Sequence, residues 1–124
     1  ATSCVPLLAG LRSSLMMLNN EGNETERYRK IRSLSFILWE KLNKIKNIEL
    51  VLNSPPPSGI ISFTINGINS PEEVVNHLGQ ESLWIRVLED PKWLRACTHI
   101  TTDSREINNL VDVIKKFISS KGTI

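Results

Sequence analysis

Histidine and cysteine, the side chains that most often carry metals and nucleophiles, are scarce in this chain: two of each among 124 residues. Cys4 and Cys97 have no paired spacing, which excludes a disulfide framework or a zinc site, so free thiols in a reducing cytoplasm are expected and no metal. His77 and His99 stand alone, without the serine and acid of a hydrolytic triad. His77 is read as a surface residue and His99 as structural. The glycines at 10, 22, 59, 67, 79 and 122 never cluster, which removes a dinucleotide fingerprint and a P-loop. Neither sign of charge dominates: 15 basic and 13 acidic side chains are dispersed along the sequence, so neither nucleic acid nor a membrane surface is expected as a partner. The longest apolar run, Val5 to Leu18, is broken by Gly10, Arg12 and two serines and falls short of the roughly 20 apolar residues of a spanning helix. It also lacks the basic start and cleavage motif of a signal peptide.

What is present is hydrophobic periodicity, in a chain of single-domain length. The leucine- and methionine-rich stretch from Pro6 to Asn20 predicts a first helix, apolar on more than one stripe, as in a helix buried on several sides. Tyr28, Ile31, Leu34, Leu38, Leu42 and Ile45 recur at three- and four-residue steps and predict a long amphipathic helix over 24–46. A short strand, Ile48 to Leu52, runs into the proline-rich loop 53–59, and Ile60 to Ile65 alternates as a strand. Ser70-Pro71-Glu72-Glu73 predicts a capped short helix closed by Gly79. Leu83 to Leu88 and Trp93 to Ile100 read as strands joined by a hairpin-length connection. Asp103 to Glu106 caps a last helix carrying Ile107, Leu110, Val111, Ile114 and Phe117. Short connections cannot make parallel crossovers, so the order implies an α+β fold with a small, mostly antiparallel sheet covered on one face by helices.

Three side chains on the predicted hairpin are candidates for chemistry. Alternation puts Trp93, Arg95, Cys97 and His99 on one strand face. A half-buried arginine there requires an anion, supplied either by a substrate carboxylate that matches its planar fork or by an internal acid such as Glu89 or Asp90. Arg86 shares a face with Trp84 and Leu88, and its plainer reading is a solvated side chain lying along the indole. Cys97 has no neighbouring base in sequence and reads as a packed thiol.

Taken in order, Gly59-Ile-Ile-Ser-Phe-Thr-Ile65, Trp84-Ile-Arg-Val87, Trp93-Leu-Arg-Ala-Cys-Thr-His99 and Thr101-Thr-Asp-Ser-Arg-Glu-Ile107 resemble the C-terminal small domain of the class V aminotransferase and cysteine desulfurase family, fold-type I enzymes that use pyridoxal 5'-phosphate. Asn108 departs from the acid usual after the isoleucine. The resemblance implies residues 1–22 as a helix linking to a large cofactor-binding domain and 23–124 as the small domain. It implies that Arg95 pairs with the substrate α-carboxylate, that Arg86 is the second arginine at the active-site rim, and that Thr2 reaches the cofactor phosphate of the neighbouring subunit in a homodimer.

Family cysteine desulfurases and selenocysteine lyases carry a nucleophilic cysteine on a longer loop between the two arginine strands. Val87 to Leu94 is short and holds no cysteine, and Cys97 follows Arg95. This is similar to the cyanobacterial cysteine/cystine C–S lyase branch, in which the cofactor performs β-elimination without an enzyme persulfide. A desulfurase-like or epimerase-like relative stays open as an alternative, and a non-catalytic α+β interaction module as one of another class. The resemblance places the cofactor lysine upstream, and neither Lys92 nor Lys121 lies in the family's lysine motif, so these 124 residues alone are expected to be inactive.

Overall fold

The computed structural model describes residues 4–122. The elements are α1 (Val5–Asn20), α2 (Glu24–Asn43), β1 (Ile48–Leu50), β2 (Ile60–Ile65), α3 (Pro71–Gln80), β3 (Arg86–Val87), β4 (Leu94–Cys97) and α4 (Ser104–Lys121). The four strands form one sheet in the order β1-β2-β4-β3, every neighbouring pair antiparallel. The expected α+β architecture is therefore present. Among the described residues no helix is long and apolar enough to cross a membrane.

Alternation along the strands creates the core. Ile61, Phe63 and Ile65 of β2 and Leu94 and Ala96 of β4 point to one face and are buried, where Leu38 and Leu42 of α2, Val74 and Leu78 of α3, and Ile107, Val111 and Ile114 of α4 pack against them. Each such side chain contributes about 1.5–3 kcal/mol on leaving water. The other sheet face has no helix over it: Glu49, Ile60, Arg86 and Cys97 are exposed, and Ser62, Thr64 and Arg95 half-buried.

Two close contacts fix how the central strands meet. The Thr98 N–H donates to the Gly59 carbonyl at 2.7 Å, and the buried Thr98 hydroxyl reaches the Ile31 and Gly59 carbonyls at 3.3 and 3.4 Å. A Cβ on Gly59 would lie 2.5 Å from the Thr98 carbonyl oxygen and 2.7 Å from Ile31 Cγ2. No side chain fits there. This contact sets β2 on β4 so that Ile61 faces Ala96 and Ser62 faces Arg95.

Helix ends follow the sequence with two exceptions. Asn23 and Glu26 form a capping box at α2, each partner accepting at 2.9 Å. At α4, Asp103 Oδ1 accepts the Arg105 N–H at 3.0 Å and Glu106 Oε2 accepts the Asp103 N–H at 2.7 Å. Ser70 occupies the N-cap of α3 but its side chain makes no cap bond. Hydrogen bonding from its own backbone, then from Ser70 and Lys92, holds the Glu72 carboxyl below its ordinary range. Nor does Gly79 close α3. The helix runs to Gln80 and is closed by Ser82 at φ 60°, with the Leu83 N–H returning to the Leu78 carbonyl at 2.9 Å, the left-handed cap that usually takes glycine. The Trp84 ring lies 3.3 Å from where a Cβ on Gly79 would be.

The predicted hairpin is shorter than its apolar pattern. Leu83 is drawn into the α3 cap, and β3 begins only at Arg86. At the other end Thr102 Oγ1 accepts the His99 N–H at 2.8 Å, turning the chain so that β4 stops at Cys97. The first helix gets no cover from the rest of the chain: none of its residues is buried. Its five leucines at 7, 8, 11, 15 and 18 recur on one stripe and are 41 to 73% exposed. Arg27 joins the helix to the domain by donating from Nη1 to the Leu18 carbonyl at 2.6 Å and to the Gly22 carbonyl.

Two outcomes test this reading. Gly59→Ala should destabilise the chain by about 1–3 kcal/mol through overpacking, seen as a lower urea midpoint; an unchanged midpoint would mean the Gly59–Thr98 approach is not tight. Bonds from the Arg105 N–H and then its side chain lower Asp103 from 3.8 to about 2. A depressed folded-state pKa adds stability that is present above the unfolded value and lost as pH falls through the folded one. Asp103→Asn keeps the cap acceptor without the charge, so the wild-type advantage in Tm should shrink between about pH 4 and about pH 2 and stay constant above that window.

Candidate functional site on the open sheet face

The uncovered face of the sheet carries two arginines side by side. Arg86 of β3 lies directly opposite Arg95 of β4, and Arg95 lies opposite Ser62 of β2. Side chains directly opposed on one face have Cβ atoms about 4.5–5.5 Å apart, and like charges so placed repel. A row of Arg86, Arg95 and Ser62 across three strands is a fork of guanidinium donors with a hydroxyl beside it.

Neither arginine is neutralised among the described residues. The ion pairs are Lys92–Glu72, Arg105–Asp103 and Lys121–Glu73, so the internal acid offered by Glu89 or Asp90 is not used. The Nε of Arg95 is buried and has no hydrogen-bond partner among the described residues. A buried donor left unmade costs about 1–3 kcal/mol, and native structures rarely keep one without a use. The combination suits an anion brought in from outside, with a carboxylate matching the fork in two bonds.

The other sequence candidates separate. Cys97 was read as a packed thiol but is exposed, on the Arg95 face and opposite Ile60. Trp84 does not share a strand face with Arg86; it lies outside β3, 80% exposed, against α3. His77 is half-buried, with its ring 5.2 Å from that of Phe117, rather than a surface residue of a polar helix face. His99 Nδ1 lies 3.1 Å from Thr101 Oγ1 in the turn after β4. Thr2 lies outside the described residues. Lys92 and Lys121 are tied to Glu72 and Glu73 of α3 at 3.1 and 2.8 Å. Among the described residues no three metal-ligating side chains come together. Ser62 is the site neighbour that sequence reasoning missed. Its period placed it off the core face, but only the β2–β4 register puts it beside Arg95.

No family model matches the sequence, and no curated protein matches it. Solved structures do. A variant of C-DES with glycine covalently linked to its PLP cofactor matches at 35% identity and a TM-score of 0.84, covering 90% of this chain. The complex of the cystine C–S lyase C-DES with its reaction product cysteine persulfide matches at 35% identity, a TM-score of 0.83 and the same coverage. The resemblance read from the sequence thus has a counterpart in solved structures, at 35% identity over 90% of this chain. The cysteine desulfurase CsdA from Escherichia coli, in an S-sulfonic acid form, shares the fold at 17% identity and a TM-score of 0.81 over 96% of this chain. The chain spans 29% of the C-DES chain and 32% of CsdA, so the similarity covers less than a third of those proteins.

An arginine kept for an external anion contributes nothing to folding. Arg95→Met should leave the stability of the 124-residue chain unchanged or raise it. A loss of about 3–5 kcal/mol, as when one member of a buried ion pair is removed, would show that Arg95 is structural.

Proposed function

We propose that this chain is the C-terminal small domain of a longer pyridoxal-phosphate enzyme that cleaves the C–S bond of cysteine or cystine by β-elimination, with Arg95 anchoring the substrate carboxylate. The observation that carries this reading is the buried, unpartnered Nε of Arg95, on a sheet face whose family relatives include a cystine C–S lyase. The planar fork takes a carboxylate in two parallel bonds, fixing the orientation of the amino acid as well as its position. Arg86, across the strand pair and more exposed, adds positive potential at the rim and draws the anion in.

What the described residues of this chain fit is the carboxylate of an amino acid, not the ring or the phosphate of the cofactor. Thr2 is the residue assigned to that phosphate, in the neighbouring subunit of a homodimer, and residues 1–22 are the link to the cofactor-binding domain. Pyridoxal phosphate, held by that domain, supplies the electron sink for elimination. The leucine stripe of α1 suits cover by the longer protein, and free, exposed Cys4 and Cys97 suit a reducing cytoplasm. The short turn between Val87 and Leu94 holds no cysteine to carry a persulfide, which favours a lyase over a desulfurase.

Arg95→Lys in the longer protein should raise KM for cystine roughly 10- to 100-fold with a smaller change in kcat, since an ammonium cannot reproduce the two-bond fork. An unchanged KM would remove Arg95 from the site. The 124-residue chain alone should produce no sulfide or persulfide from cystine, and steady turnover would refute its role as a partial enzyme.

A further inference from the structure

A second preformed surface lies on α2, where the sheet face is not involved. Tyr28 and Phe36, two turns apart on one side of the helix, are 48 and 44% exposed, and the loop 52–57 leans against that side. Two aromatic donors hold the loop in place: Tyr28 Oη donates to the Pro57 carbonyl at 2.7 Å and Trp39 Nε1 to the Leu52 carbonyl at 3.2 Å. Consecutive prolines restrict the loop further. Between helix and loop runs a groove of about 340 Å³ lined by Tyr28, Phe36, Pro55, Pro56, Arg29 and Arg32.

Charge selects what this groove can take. Arg29 and Arg32 are exposed, and among the described residues neither has a carboxylate within ion-pair distance. Arg32 instead lies 5.7 Å over the Tyr28 ring, an arrangement that keeps the guanidinium edge free to bond outward. Exposed aromatic rings with adjacent arginines are the composition of binding hot spots, and ordering them in advance lowers the entropy lost on binding. We infer that this groove docks an extended, acidic segment of a partner protein, with an apolar side chain entering between Tyr28 and the prolines and carboxylates pairing with Arg29 and Arg32.

The test titrates the full 124-residue chain, labelled with nitrogen-15, with a synthetic peptide that alternates glutamate with leucine and proline. Amide shifts should centre on Tyr28 to Phe36 and on Ser54, and binding should weaken with added salt. Arg29→Glu with Arg32→Glu should weaken it by tenfold or more, and the milder Arg29→Gln with Arg32→Gln by a smaller factor, so the result does not hang on one variant's folding. Equal binding of the peptide with lysine in place of glutamate would overturn the assignment. So would shifts centred on the leucines of α1, which would mark non-specific apolar capture. Arginine-dependent binding to anionic phosphatidylserine vesicles without peptide binding would assign the surface to a membrane and overturn it as well, as would self-association through this groove.

Discussion

Gly59 and Thr98 come together more closely than any side chain at position 59 would allow, and the rest of the domain depends on that approach. It sets the register of β2 on β4, and register in a sheet with one buried face is all or nothing: a slip of β2 by one residue would turn Phe63 out to water and Ser62 into the core. The same contact reaches α2 through the Thr98 hydroxyl on the Ile31 carbonyl. Core and site are thus two faces of one pairing, and the side chains that hold the sheet on its helices also determine which ones the open face presents.

That open face is where the domain gives up stability. Two arginines in cross-strand register repel each other, and one keeps a buried donor without a partner. A sheet selected for stability alone would place opposite charges or β-branched side chains there. The exposed leucines of α1 are a second such feature, since a 16-residue helix with no tertiary cover is marginal in water. Both fit the proposal that a longer protein supplies the anion and the cover, since the chain corresponds to less than a third of the structures it resembles.

Much of this could be read from residues. The alternation of Ile61, Phe63 and Ile65 and the stripe from Ile107 to Phe117 placed β2 and α4, the three- and four-residue steps from Tyr28 placed α2, and the aspartate cap placed the start of α4. The site was half legible. Alternation put Arg95 on a face opposite Leu94, but whether an acid would meet it depends on strands far apart in sequence, so the residues alone left the choice between internal and external anion open. The errors share a cause. Leu83 has strand composition yet its N–H is held by the end of α3, and His77 lies beside the exposed polar residues of α3 yet meets the Phe117 ring of α4. In each case a tertiary contact outweighed a local preference.

The most direct test is the visible absorbance of the longer protein, purified with and without added pyridoxal phosphate, before and after addition of cystine. The account predicts a cofactor band that cystine alters. A colourless protein that takes up no cofactor would leave the fold as described and contradict the enzyme.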